Sequence, residues 1–229
     1  MYKSDLFHFL TVMWNKIQRI YIGSNLVRPK WHPWANTIAY YPLKEDTNDY
    51  SWNSRNLTNS WATFWTYQWI SCVYWTARAQ WINTPSLNWV KTISLWTNWS
   101  GNYTNSNSNF SVIYADGQAT SLAYRKYNDY KLQFYDGAYN LINSYITNQR
   151  YNLVVTFDGT AKIYINWQLL WQRTNTVQYT WWIFYFMRWV WTGDTIDGYL
   201  WGMSNIILED KTRTAQEVAK YYNSTKWNY

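Results

Sequence analysis

The sequence predicts an all-β protein, a sandwich or barrel of many short strands followed by one short helix. Three observations predict it. First, β-branched and aromatic residues dominate, with aromatics alone at 22% of the chain, while strong helix formers are sparse. Second, short runs that read as strands are separated by turn pairs: Asp116-Gly117, Asp136-Gly137, Asp158-Gly159, Gly193-Asp194 and Asp197-Gly198. Turn signals about every 8–12 residues argue for a sandwich or barrel. Third, all-β sandwiches commonly reach the length of this chain, 229 residues, as one unit.

The elements follow in order. Residues 16–28, KIQRIYIGSNLVR, read as a strand, a turn at Gly23 and a second short strand. PKWHPWAN, with two prolines, reads as a linker, so residues 1–36 form an N-terminal segment ahead of a domain over 37–229. Strands are expected near 38–43, 70–75, 79–84, 91–98, 109–115, 120–127, 130–135, 139–146, 151–157, 161–166, 168–173, 183–188 and 198–208. At the C-terminus Thr214-Ala-Gln-Glu217 is a capping box. Val218, Tyr221 and Tyr222 follow at i, i+3 and i+4, one apolar helical face. The helix is expected near 214–223, packed on the sandwich.

One stretch breaks the rules of turn chemistry. KIYINWQLLWQR (162–173) reads as a hairpin whose two turn residues are Asn166 and Trp167. A two-residue hairpin turn of type I′ needs φ > 0 at both positions, where Asn-Gly is favoured and a bulky aromatic is an outlier. The chain has 20 Trp and 8 Gly, whereas average usage would put roughly 16 Gly here. Trp52 and Trp61 likewise stand among Ser and Asn, where turn glycines belong. The expectation is that many tryptophans are glycine in the source organism, written as Trp from UGA codons. Some bacterial lineages and their phages read UGA as glycine. Trp52, Trp75, Trp167, Trp171, Trp181, Trp182 and Trp189 are expected at turns or strand ends, several exposed or strained. Trp96 sits inside a strand pattern and is expected to be a genuine tryptophan. The alternative is a real Trp-rich surface that stacks on sugars.

Charge and cysteine count narrow the function classes. The net charge is +7, but the 20 Lys and Arg are scattered without a basic run, so nucleic acid is not an expected partner. The lone Cys72 lies in an apolar strand and reads as a small core residue. Both histidines, His8 and His32, are N-terminal, which leaves no Ser-His-Asp or Cys-His set. The first twenty residues hold an apolar patch broken by Asp5 and His8, so no secretory signal is expected, and Met13 is a possible alternative start. No apolar run reaches the ~18–20 residues of a membrane helix.

Three segments together carry a resemblance. IAYYPLKEDTNDYSWNSRNLT, VVTFDGTAKIYINWQLL and GYLWGMSNIILEDKTRTAQEVAKYYN resemble the opening strand and acidic turn, the central hairpin, and the closing strand and helix of the laminin-G-like jelly roll. That domain belongs to the concanavalin A-like lectin/glucanase superfamily. The likeness spans roughly 37–225 and puts Trp52 and Trp167 at family glycines. It implies a two-sheet antiparallel jelly-roll sandwich (concanavalin A-like). IQRIYIGSNLVRP looks like short leader segments ahead of such domains in phage virion proteins.

Glucanases of the superfamily align alternating carboxylates on one strand, and no such run exists here. Glu45, Asp46 and Asp49 share a loop, and Glu209 and Asp210 are adjacent. Glycoside hydrolysis then lacks its carboxylate pair. The superfamily often binds calcium through loop oxygens, and Asp116, Asp136, Asp158, Asp194 and Asp197 are the candidates, each also a simple turn residue. Tyr103, Tyr127 and Tyr139 are the candidates for stacking on sugar faces. The expected function is a non-catalytic carbohydrate-binding or adhesive domain, not an enzyme, on a phage tail, a capsid or a cell surface. The alternatives are a structural virion or surface protein making only protein contacts, and a divergent glycoside hydrolase. No cofactor is required; the partners are a cell-surface polysaccharide and other virion proteins.

Overall fold

The computed structural model describes residues 20–22, 25–27, 36–51, 53–67, 70–74, 81–99, 110–116, 121–125, 131–135, 139–145, 150–174, 183–186 and 201–226. β1 (Ile20–Ile22) and β2 (Asn25–Val27) pair only with each other, as the N-terminal hairpin pattern predicts.

Two antiparallel sheets make the sandwich. In chain order the strands are β3 (Thr37–Tyr41), β4 (Thr58–Ser60), β5 (Thr63–Tyr67), β6 (Ile70–Tyr74), β7 (Trp81–Asn83), β8 (Thr92–Trp99), β9 (Phe110–Asp116), β10 (Ser121–Arg125), β11 (Lys131–Tyr135), β12 (Tyr139–Tyr145), β13 (Arg150–Phe157), β14 (Thr160–Ile165), β15 (Gln168–Thr174), β16 (Phe184–Phe186) and β17 (Trp201–Glu209). One sheet runs β12-β11-β10-β9-β16-β7-β4; the other runs β15-β14-β13-β8-β17-β6-β5, with β3 also paired to β17. The expected strands are present within a few residues at each end. β4 and β5 are additions: TNS and TFWTY lack the alternation that marks a strand in sequence.

The core lies between the sheets. Leu95, Leu153, Val155, Ile163 and Met203 of one sheet meet Ile82, Ile113, Leu122, Phe134, Ile142, Phe184 and Phe186 of the other in a single buried cluster. Alternation along β13 places Leu153, Val155 and Phe157 in that core. Its intervening residues are also buried, because the C-terminal helix α1 (Ala215–Thr225) covers the outer face. Val154 and Tyr164 close on Val218, and Trp96 stacks on Tyr222 with ring centroids 5.9 Å apart. Trp96 is therefore a packing residue.

The helix starts where its capping box predicts. Thr214 Oγ1 accepts from the Glu217 amide at 3.2 Å, and Glu217 Oε2 accepts from the Thr214 amide at 2.8 Å. Arg213, beside it, forms a buried ion pair with Glu209 and lies 4.5 Å over the Tyr221 ring. Burial raises the Glu209 carboxyl above its ordinary value against the lowering pull of Arg213, and burial pushes the Tyr221 phenol up to about 12. Cys72 is buried, as its apolar strand implied.

The acidic loop after β3 is a structural device. The buried Asp49 carboxylate accepts from the amides of Tyr40, Ser51 and Arg55 at 2.8–2.9 Å and from the Ser51 hydroxyl at 2.8 Å. Four donors on one carboxylate fix the course of the loop back toward β4.

Candidate functional site

The hairpin of β14 and β15 has the geometry its sequence demands. Asn166 and Trp167 form the two-residue turn with φ of 47° and 71°, both positive as a type I′ turn requires. The Asn166 side chain accepts from the Asn152 amide at 3.0 Å and fixes the turn against β13. Two more tryptophans adopt left-handed backbone: Trp61 with φ 66° and Trp89 with φ 59°. The sequence pointed to Trp61. It missed Trp89, although Asn88-Trp89 repeats the Asn-Trp signal of the hairpin.

Trp171 is a correction. It was expected at a turn or strand end, but it lies within β15, packs against the core and meets the Phe134 ring at 5.3 Å. A bulge between Ile163 and Tyr164 in the pairing of β14 with β15 shifts the return strand. Trp52, Trp75, Trp181, Trp182 and Trp189 lie outside the described residues.

The candidate calcium ligands do not come together where the structure describes them. Asp158 is the turn residue between β13 and β14, with Oδ1 accepting from the Thr160 amide at 3.3 Å and Oδ2 from Lys162 Nζ at 3.4 Å. Asp116 ends β9 and Tyr139 begins β12, with side chains outside the description. Asp136, Asp194, Asp197, Tyr103 and Tyr127 lie outside the described residues. Among the described residues no three His, Cys, Asp or Glu side chains form a group that could hold a metal ion. Four further described carboxylates have structural work: Asp49 holds its loop, Asp46 holds Asn48 and Tyr50, Glu209 pairs with Arg213, and Glu217 caps α1.

What the structure exposes instead is indole. Trp61, Trp65, Trp89 and Trp167 are 83%, 64%, 58% and 45% exposed. Trp65 differs from the other three because it stands in regular strand β5, outside the positive-φ set. Its neighbour Phe64 packs on the core, so alternation turns Trp65 to the outer face. Pairing then defines a row on that face. Trp65 opposes Cys72 on β6, and the Val73–Met203 pair aligns β6 with β17. Ser204 comes next and opposes Trp96 on β8.

Arg150 on β13 reaches back along this row. Its guanidinium lies 5.5 Å from the Trp96 ring centroid and donates to Ser204 Oγ at 2.7 Å. Two strand spacings separate Ser204 from Trp65, ~10 Å at ordinary interstrand distance. The outer face thus carries an exposed indole at one end and a guanidinium held in place at the other. Between them Cys72, Ser204 and Trp96 are buried, so what this face presents to solvent is the Trp65 indole, an apolar platform of the kind that stacks on a ligand's apolar face. The sequence did not single out Trp65, because a lone aromatic in a strand of Thr, Phe and Tyr has no local signature of exposure.

This architecture is a two-sheet antiparallel β-sandwich with one short C-terminal helix. No family model matches the chain, and no curated protein does. Solved structures are similar in fold. Domain 4 of a GH43 extracellular arabinanase from Geobacillus stearothermophilus, in complex with arabinotriose, superposes with a TM-score of 0.61 at 13% identity, covering 81% of this chain and 97% of that one. The ligand-binding domain of botulinum neurotoxin serotype D with N-acetylneuraminic acid gives 0.64 at 14% identity over 82% of this chain. Trypanosoma rangeli sialidase in complex with sialic acid gives 0.69 at 13% identity over 97% of this chain. The chain spans 51% of the toxin domain and 39% of the sialidase.

Proposed function

We propose that the chain is a non-catalytic carbohydrate-binding domain, displayed on a virion or a cell surface, that holds its glycan against the exposed Trp65 indole of β5. One observation carries the reading: Trp65 is an indole held out to solvent from a regular strand, on the same face as a guanidinium anchored by Ser204 and Trp96. An exposed indole in an unstrained strand has no structural duty that explains it, and aromatic faces with a polar rim are what binding surfaces use. The arabinanase domain solved in complex with arabinotriose, 97% of which is covered by the fold match, supports a sugar as the ligand class. The sequence holds no strand with the alternating carboxylates that would align an acid with a base or nucleophile, which supports binding without turnover. Residues 37–229 then act as the recognition module, and residues 1–36 as the segment that joins it to its carrier.

The test is a glycan array probed with the purified protein and with Trp65→Ala. Retention on a defined set of oligosaccharides, lost in the variant, with the bound sugar recovered intact, is the expected result. Binding to no glycan, or equal binding by the variant, refutes the proposal; release of shortened sugar refutes its non-catalytic part.

A further inference from the structure

We infer that positions 61, 89 and 167 are glycine in the protein as its source organism makes it, their UGA codons being read as glycine. Seven described residues other than glycine have positive φ, and three of them are tryptophan: Trp61, Trp89 and Trp167. The left-handed region suits glycine, and Asn or Asp to a lesser degree, because a Cβ there crowds the following carbonyl. A bulky aromatic belongs there only where its side chain makes contacts that outweigh the strain. These three do the opposite and present much of their surface to water. Each also follows a turn-favouring residue, Ser60, Asn88 or Asn166, so replacing Trp by Gly writes Ser-Gly once and Asn-Gly twice.

The contrast with the packed tryptophans sharpens the inference. Trp96 stacks on Tyr222 and Trp171 meets Phe134, and neither has a positive φ. The three left-handed tryptophans are thus exposed and the two packed ones regular, while Trp65 is exposed from a regular strand. Glycine and tryptophan have nothing in common chemically. A stop codon that different translation systems read as either residue is one cause that links them, and it also explains 20 Trp beside 8 Gly. The inference bears on the binding proposal: of the four exposed indoles, it leaves Trp65 as the described one available to a ligand.

Tryptic peptide sequencing by mass spectrometry of the protein isolated from its natural source decides it. Cleavage at Arg55, Arg78, Lys91, Lys162 and Arg173 yields peptides 56–78, 79–91 and 163–173, which together span the three positions. The expected reading is glycine at 61, 89 and 167, with tryptophan at 171 serving as the internal contrast within the third peptide. Tryptophan at any of the three positions overturns the inference. Glycan affinity does not enter this readout, so it fails separately from the binding proposal.

Discussion

Replacing Trp61 by glycine and, separately, by alanine isolates the cost of its backbone conformation. Both substitutions delete the same indole, 83% of which is already in water, so lost contacts cancel between them. What remains is the Cβ. At φ 66° a Cβ costs ~1–2 kcal/mol against the following carbonyl. Glycine gives back ~0.4–1 kcal/mol because its unfolded chain is freer. Subtracting the second from the first leaves glycine more stable than alanine at 61 by up to about 1.6 kcal/mol, with a midpoint of about 0.8 kcal/mol. At Trp65, in regular strand, only the entropy and strand terms act, and the order inverts, with alanine ahead by about 0.5–1 kcal/mol. Urea unfolding of the four variants reads both differences. Alanine matching or exceeding glycine at position 61 would refute the left-handed assignment on which the turn argument rests.

Four further outcomes follow from the same geometry. Trp171→Ala should cost ~3 kcal/mol, because it empties a core contact with Phe134, whereas Trp167→Ala should cost far less; chemical denaturation ranks them. Asp49→Asn should destabilise by ~3 kcal/mol, since an amide nitrogen then faces donors that the carboxylate accepted; a lower midpoint at unchanged slope is the expected signature. Thr214→Ala should lose ~1 kcal/mol through the N-cap of α1, visible as a lower melting temperature. Glu217 has its carboxyl held below the ordinary 4.5 by hydrogen bonds from Lys211 and from the Thr214 amide. The stability it adds is present above that value and is lost as pH falls through the lower folded one, so Glu217→Gln should flatten the acid limb of the stability profile.

The parts of the fold legible in sequence were those set by local chemistry. Thr214 and Glu217 spelled the helix start, and Asn166-Trp167 spelled a two-residue turn even with the wrong residue in it. β13 read cleanly because its apolar run continues through both faces, one packed on the opposite sheet and one under α1. β4 stayed hidden because an edge strand of Thr, Asn and Ser is held by its ladder with β7, which no local pattern records. Trp171 was misread for a related reason: beside a turn, only the bulge in register shows that its ring points to Phe134. The candidate surface was least legible. Trp65, Ser204 and Arg150 are far apart in sequence, and only strand pairing and a guanidinium crossing Trp96 bring them to one face.

The central claim is that a glycan rests on Trp65 and not on the left-handed tryptophans. Titration calorimetry with the best oligosaccharide from the array, run on the parent, Trp65→Ala and the triple variant Trp61→Gly/Trp89→Gly/Trp167→Gly, tests it directly. The triple variant should bind as the parent does, while Trp65→Ala should bind at least about tenfold weaker, a loss of ~1.4 kcal/mol. Unchanged affinity in Trp65→Ala, or affinity lost in the triple variant, would contradict it.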